Sequence, residues 1–408
     1  MTDTARITVT LTEPVAAGKR LRTDFVQDTY DHIPGTVLRG ALAARWVAEH
    51  GVPVTTTPEF LDVFEGDGAF GPLHSELSVP VPLSVHLHKY RPEPGRCTKE
   101  MWDEATEKVP DECEDCDKPL ERSKGTAAGS VGRSIRTRAA LTPQGVAREG
   151  HLFTQNSVAS GARFAGWMHG PALRALHIGD EPVDTLLLGG RTKTQGSALL
   201  EVDHSCVPEP VEQHGNEVVL RLLGPGVFVD DFGFPSAKPD RRELSEALGV
   251  EVQGITSRTR WCQVEGWHIA SGLPKPVERA VQAGSTYHVT CAEPASEQAR
   301  RTLLARGIGL RRREGFGALY TFDPHRTTLH GLREKTAALR DPELREHLTA
   351  LRHRAQRMQQ EPVDDSAFRD RINVGDPFGN ALRTLLDIVS PQLFHDVLEN
   401  CAQQEAHR

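Results

Sequence analysis

Three cysteines have the spacing of a metal-binding knuckle. Cys113 and Cys116 form a C-x2-C pair, and Cys97 precedes the pair by fifteen intervening residues. Three thiolates with this spacing favour tetrahedral Zn²⁺, which needs a fourth ligand nearby. His88 is our first choice for that ligand and His86 the second, because both precede Cys97 on a predicted strand. The alternative interpretation is a set of surface cysteines in an acidic loop.

Four protein ligands would leave no open coordination position, so the predicted zinc is structural. It would fold a segment, at about residues 86–125, that is too polar to form a core of its own. Acidic residues outnumber lysines ten to three within residues 99–121, and the net charge of the whole chain is −8. The rest of the chain is therefore close to neutral, and local arginine clusters there can bind a polyanion.

Two basic loops that contain glycine, residues 190–199 and 309–319, lie about one domain length apart. Glycine lets the backbone approach another backbone closely, and the basic side chains supply counter-charge. Neither loop matches the P-loop pattern, and tight turns are the alternative interpretation. The pair favours nucleic-acid contact, although Ser197 stands where the second loop has a glycine. The loop residues that we assign to RNA are Arg191, Lys193, Arg311, Arg312, Arg313, Gly315, Phe316 and Gly317.

A turn that runs into a helix, residues 31–46, is the third candidate. Pro34 fixes its own φ, Gly35 permits a close backbone approach, and Thr36 is predicted to cap the helix. Arg39 lies in the first helical turn, where free N–H groups and the helix dipole favour an anion. We therefore add Gly35 and Arg39 to the predicted RNA-binding residues, although an ordinary strand–helix junction would have the same sequence.

A predicted hairpin over residues 136–153 supplies two further RNA-binding candidates, Arg136 and Arg138. A solvated hairpin with no ligand is the alternative.

The order of the predicted strands and helices that position these residues indicates an α+β protein. Both units read as β–α–β–β–α–β, the ferredoxin-like order, with a glycine loop before each last strand. We predict a first domain over residues 1–210, a second over 216–323 and a helical extension over 324–408. The chain has no apolar run that could span a bilayer and no signal peptide, and an odd count of seven cysteines favours a reducing cytoplasm.

The turn at residues 33–40 and the loop at residues 309–317 resemble the two signatures of the CRISPR RAMP superfamily. The C-x2-C insertion and residues 266–276 are similar to the double-RAMP subunits of type III-D effector complexes, which are taken to grip the 5′ handle of the guide RNA. The resemblance implies a non-catalytic subunit with two RAMP domains that binds guide crRNA, with Phe316 or Trp267 stacking on a base. A core position is the alternative for Trp267. The resemblance also implies as partners other RAMP backbone subunits and the large and small subunits, with target RNA reached indirectly.

Three alternatives remain open. Related backbone subunits are implicated in metal-assisted cleavage of target RNA through an aspartate before the turn, so Asp24, Asp28 or Asp31 could hold Mg²⁺. Whether the protein is an enzyme is therefore open, although we lean toward none. A guide-processing nuclease would need a general-base histidine, and the candidates for it are His32, His268 and His288. The third alternative is a purely architectural subunit.

Overall fold

The strand Thr4–Leu11 (β1) lies at the centre of the first domain in the computed structural model. Apolar and polar residues alternate along this strand, so that Ile7 and Val9 are fully buried while Thr8 between them faces outward. The other strands of its antiparallel sheet are Ala69–Phe70 (β2), Arg163–His169 (β3), Thr185–Leu187 (β4) and Ser197–Asp203 (β5). The order is β4-β5-β1-β3-β2. Without the edge strand β4 this is the ferredoxin-like order.

The helix Gly35–His50 (α1) covers this sheet. It buries Leu38, Leu42 and Trp46 in the core of the first domain. Our prediction that Thr36 caps this helix is wrong. The helix already begins at Gly35, Pro34 takes the capping position, and no side chain bonds the free N–H groups. The second helix of the ferredoxin unit is a 3₁₀ helix, Gly170–Leu176.

The second domain repeats the pattern. Its strands are Glu212–His214 (β6), Glu217–Leu222 (β7), Val252–Arg258 (β8), Thr286–Cys291 (β9) and Leu319–Tyr320 (β10). They run in the order β6-β7-β9-β8, and β10 pairs with the same edge of β7 as β6. The helices Arg241–Leu248 (α2) and Glu297–Arg306 (α3) follow β7 and β9. Two ferredoxin-like domains in an α+β chain are thus confirmed, and each glycine loop precedes the fourth strand of its unit.

Several shorter elements complete the fold. The insertion has a three-stranded sheet in which Val85–His88 lies between Met101–Asp103 and Leu120–Arg122. A long hairpin pairs Arg133–Leu141 with Ala147–Val158, which also pairs with Val26–Gln27. A second hairpin pairs Trp261–Val264 with Glu278–Val281. The remaining short elements are the helical turns Pro58–Phe60, Leu61–Glu65 and Arg312–Glu314 and the strands His177–Ile178, Glu181–Pro182, Trp267–His268 and Leu273–Pro274.

The chain divides into two units, residues 1–80 with 129–321 and residues 81–128 with 322–408. The second unit contains the helices Leu344–Met358 (α4), Pro377–Leu386 (α5) and Pro391–Ala406 (α6), which share a core around Leu385, Phe394 and Val397. The boundaries that we predict for the three domains stay predictions. In the described part of the chain no helix is long and apolar enough to cross a membrane. The structure describes residues 3–18, 26–54, 57–75, 78–90, 92, 97, 99–127, 129, 131–179, 181–190, 194–268, 272–324, 332, 336, 339, 344–358, 372, 376–388 and 391–406.

Candidate metal site and candidate nucleic-acid interface

Four side chains of the insertion, those of His88, Cys97, Cys113 and Cys116, come together. One ligand atom from each lies within 4.8 Å of all the others. The Nε2 of His88 is 3.6 Å from the Sγ of Cys97, which is 3.9 Å from the Sγ of Cys113. Tetrahedral zinc bonds of about 2.0–2.3 Å place the ligands roughly 3.5–3.8 Å apart. The group therefore fits a tetrahedral metal ion, and His86 is not part of it.

A tight turn holds the C-x2-C pair. The Asp117 N–H donates to the carbonyl of Cys113 at 2.8 Å, and the Cys113 N–H donates to the carbonyl of Lys118 at 2.9 Å. Asp117 takes a left-handed φ of 56° to close the turn. All three cysteines are buried, and Trp102 lies edge-on to the His88 ring at 5.1 Å. The insertion therefore packs around these four side chains.

Burial raises the pKa of Cys97, and the thiol of Cys116 beside it raises that pKa further. Burial also raises the pKa of Cys113. Without a metal, burial therefore favours the neutral thiols. A divalent cation reverses this preference, because it stabilises thiolates directly.

A contact between two glycines joins the opening turn to the second glycine loop. A Cβ on Gly35 would lie 2.2 Å from the carbonyl oxygen of Phe70 and 2.6 Å from the Cα of Gly315. A Cβ on Gly315, which has a φ of +83°, would lie 2.8 Å from the Cα of Gly35. Gly317 is equally constrained, since its Cβ would lie 1.7 Å from the carbonyl oxygen of Ile308. Gly35 and Gly315 thus let the backbones of the two ferredoxin domains touch, whereas Gly317 lets the loop pack against its own domain.

Carboxylates surround Arg311 and Arg312 of this loop. Arg311 donates to both oxygens of Glu314, at 3.1 and 2.8 Å, and to Glu278 at 3.0 Å. Arg312 donates to Glu243 at 2.9 Å and also pairs with Asp67 of the first domain. The two arginine side chains are only 16% and 13% exposed. Their predicted contact with RNA phosphates stays a prediction, and it would require an exchange of these partners.

Arg39 and Arg313 meet on the segment that precedes β2. Arg39 donates to the carbonyl of Phe64 at 2.9 Å and pairs with the carboxylate of Glu65. Arg313 donates to the carbonyl of Glu65 at 3.0 Å, and its Nε lies 3.2 Å from the carboxylate of the same residue. Two predicted RNA ligands from different domains thus share one glutamate.

Phe316 lies inside a small cluster with Val227, Val264 and Ala280, and it is 8% exposed. The guanidinium of Arg311 lies over its ring, 4.5 Å from the centroid. Stacking of Phe316 on a base stays a prediction, since the ring would first have to be uncovered.

Sequence reasoning missed the acidic partners of the loop. Lys275 donates to Glu314 at 2.6 Å, and together with Arg311 it lowers the pKa of Glu314 to about 2, although burial acts in the opposite direction. The Gly309 N–H donates to Glu243 at 2.9 Å. Glu314 was visible within the loop itself. Glu243 lies on α2 far along the chain, and no local sequence signal points to it.

The model of one protein family, described as CRISPR-associated protein (Cas_Cmr3), matches residues 121–324, which is half of the chain. The chain belongs to the Cas_Cmr3 family. The matched segment includes the Arg133–Val158 hairpin and both glycine loops, so the candidate interface of this Cas_Cmr3 protein lies largely within it. The RAMP resemblance seen in the sequence is thereby confirmed at the level of the superfamily.

Solved structures with a similar fold are distant in sequence. A chain of the type III-B Cmr-beta complex bound to cognate target RNA and AMPPnP is 12% identical, covers 69% of this chain and 86% of its own, and gives a TM-score of 0.40. A RAMP protein binding different RNA substrates is 11% identical over 78% of this chain and 99% of its own, with a TM-score of 0.33. The product of a Cas6-related gene from Pyrococcus furiosus is 10% identical with the same coverages and a TM-score of 0.32. No curated protein matches the sequence.

The long hairpin of the Cas_Cmr3 protein presents Arg136 and Arg138 to solvent. They lie on the same face of the first strand, two residues apart, and pair with Gln155 and Phe153 on the second strand. Phe153 is 39% exposed, so this face carries two cations beside an aromatic ring.

The first glycine loop is described only in part. Gly196 has a φ of +108°, and a Cβ there would lie 2.4 Å from the carbonyl oxygen of Leu188. Arg191 and Lys193 lie outside the described residues. The two loops are therefore alike in position, and both bring glycine against another backbone.

The aspartates of the cleavage alternative have different surroundings. Arg133, at the root of the hairpin, pairs with Asp28 at 3.1 Å and also with Asp31. Asp24 lies outside the described residues.

The histidines of the nuclease alternative lie apart. His32 stacks on the buried His74 with ring centroids 4.3 Å apart, and His288 lies on the central strand β9. The side chain of His268 lies outside the described residues, as does that of Trp267.

Proposed function

We propose that this Cas_Cmr3 protein is a non-catalytic subunit of a type III CRISPR effector complex, of the III-D kind, that binds the 5′ repeat handle of the guide RNA. The family match over residues 121–324 is the observation that carries the proposal. Other RAMP backbone subunits and the large and small subunits would be its protein partners, and target RNA would reach it indirectly. The cytoplasm would be its compartment.

The arrangement of cations supports an RNA role. Arg136 and Arg138 extend from the first domain on a solvent-exposed hairpin, and no carboxylate among the described residues forms a salt bridge with either. Proteins bind single-stranded RNA with cations that offset the charge of its phosphates and with flat side chains on which its unstacked bases stack. The joint at Gly35 and Gly315 supports the proposal in a second way, because it fixes the two domains as one surface.

The surroundings of Asp28 and Asp31 support a non-catalytic role. Both carboxylates engage the guanidinium of Arg133, which offsets the charge that would attract a divalent cation. A cleavage role for Asp24 is the rival to be tested, with Mg²⁺ as its metal.

Binding of the full-length protein to guide RNA with its repeat-derived 5′ end tests the proposal, with a scrambled 5′ end for comparison. We expect Arg136→Glu with Arg138→Glu to weaken binding about tenfold or more at moderate salt, because two phosphate contacts are lost. Arg163→Glu is the matched control, since Arg163 is equally solvent-exposed but lies on the sheet beside Glu201. Equal affinity for the scrambled RNA, or equal loss in the control, would refute handle binding. Cleavage of complementary RNA by the assembled complex that disappears in Asp24→Ala would refute the non-catalytic role.

We propose that the metal bound by His88, Cys97, Cys113 and Cys116 is structural zinc. Three sulfur donors and one imidazole are a common zinc set, and the ligand separations support it. We expect one zinc per chain in the purified protein, lost in Cys113→Ser and retained in Cys206→Ser, which removes a cysteine outside the group. Mass spectrometry of the purified proteins measures the zinc content, and an unchanged content in Cys113→Ser would exclude this site.

A further inference from the structure

The Trp261–Val281 hairpin of the second domain has two different faces. Cys262, Val264 and Ala280 point toward Val227 and the glycine-loop residue Phe316 and form an apolar cluster with them. Since side chains alternate along a strand, Trp261, Gln263 and Arg279 belong to the opposite face. That outer face therefore lies directly behind the glycine loop of the candidate interface.

The outer face carries an aromatic ring covered by a planar cation. The guanidinium carbon of Arg279 lies 4.2 Å from the centroid of the Trp261 indole. Trp261 is nevertheless 40% exposed, and Gln263 and Arg279 are exposed as well. The three residues line a shallow depression of about 460 Å³ together with Cys262, Val277 and Glu278.

The charges around the depression favour an anionic ligand. Arg260 is exposed next to Trp261, and Arg258 lies at the end of β8 just before it. The carboxylate of Glu278 is engaged by Arg311 at 3.0 Å, and Glu265 is exposed farther along the same hairpin. Two exposed arginines, Arg260 and Arg279, thus lie next to the indole.

We infer that Trp261 and Arg279 form a stacking subsite for one unpaired base of single-stranded RNA, in addition to the residues named under the proposed function. The inference rests on that function, because the RNA must first reach this surface. The base would stack on the part of the indole that Arg279 leaves exposed, and the guanidinium would supply a charge for the adjoining phosphate. Gln263, which pairs directly with Arg279, offers a donor and an acceptor to the edge of the base.

A binding series with repeat-derived guide RNA, measured by fluorescence anisotropy, tests the subsite. We expect Trp261→Ala to weaken binding about 5- to 100-fold, the usual range for loss of one stacked base, and Trp261→Phe to weaken it only about 3-fold. Arg279→Ala should weaken binding and lower the slope of log affinity against log salt by about one. Phe234→Ala is the matched control, because Phe234 is 67% exposed in the same domain but lies in a turn with Asp230. It should bind like the wild type.

Ultraviolet crosslinking of the unmodified protein to the same RNA gives a readout that needs no variant. We expect a crosslinked peptide that contains Trp261. If the wild type binds guide RNA while Trp261→Ala and Arg279→Ala bind equally well and no crosslink forms there, the subsite is refuted and the proposed function stands. If the wild type binds no guide RNA, both are refuted. A crosslink to a protein subunit at Trp261 in the assembled complex would assign this face to a protein partner and would also overturn the inference.

Discussion

Comparing the stability of Gly35→Ala with that of Gly40→Ala separates the effect of helix propensity from the effect of packing between the two domains. Both Gly35 and Gly40 lie in α1, and alanine in a helix is about 0.5–1 kcal/mol more favourable than glycine. A Cβ at Gly40 meets nothing within 4 Å, whereas at Gly35 it would lie 2.2 Å from the Phe70 carbonyl and 2.6 Å from the Gly315 Cα. Backbone atoms cannot move aside as a flexible side chain can, and overpacking costs about 1–3 kcal/mol. We therefore expect Gly35→Ala to be less stable than Gly40→Ala by about 2–3 kcal/mol.

Thermal unfolding followed by near-ultraviolet circular dichroism measures this difference. For domains of 150–250 residues 1 kcal/mol corresponds to roughly 2–4 °C, so the Tm of Gly35→Ala should lie about 4–12 °C below that of Gly40→Ala. The control variant should melt at or slightly above the wild-type temperature. Equal Tm values for the two variants would show that the glycine contact between the domains is not close in solution, and the reasoning for the joint would fail.

Two further predictions concern buried charges. Because the folded protein holds the pKa of Glu314 at about 2 instead of 4.5, the ionised carboxylate stabilises the fold above pH 4.5 by up to about 3 kcal/mol, and this contribution is lost as the pH falls from 4.5 to 2. Denaturant unfolding should therefore show a loss of stability in Glu314→Gln that is smaller at pH 3 than at pH 7 by about 2 kcal/mol, because the carboxylate is still largely ionised in the folded protein at pH 3. An equal loss at both pH values would contradict the ion-pair account. In the C-terminal helices Arg354 is 7% exposed and donates to the Leu386 carbonyl at 3.0 Å, so Arg354→Met should lower stability by about 1–3 kcal/mol. Arg352→Met, which breaks a surface pair with Glu399, should cost less than about 1 kcal/mol, and limited proteolysis of the two variants at equal rates would argue against this ranking.

Alternation of apolar and polar residues predicted β1 at the centre of the first sheet, and a run of apolar residues predicted β7 in the second. Ile7 and Val9 bury one face of β1, whereas residues 218–222 of β7 are buried on both faces, and both patterns are local. The edge of the first sheet was not predictable in the same way. Strand β2 is only Ala69–Phe70, and two residues carry no period. The strand predicted to carry His86 and His88 is Val85–His88, and it belongs to the sheet of the insertion.

The candidate sites divide in the same manner. The cysteine spacing is a local signal, and the structure places Cys97, Cys113 and Cys116 together with His88. The glycines of the second loop were likewise predicted to face another backbone, and Gly315 does face Gly35. The sequence did not indicate that the partner of Gly315 would be Gly35, because this contact depends on how the two domains pack.

The acids around the second glycine loop change how its arginines are understood. A phosphate that reached Arg311 would have to replace the carboxylate of Glu278 or Glu314, and removing one partner of a buried ion pair is costly because the other charge is left uncompensated. An exposed arginine such as Arg136 incurs no such cost, since water solvates it until the phosphate arrives. Arg311 therefore contributes first to the second domain itself, and Arg312 and Arg313, which pair with Asp67 and Glu65, to holding the two domains in register. The strongest contribution to RNA affinity should come from the exposed cations of the two hairpins, where binding releases counterions instead of breaking internal pairs.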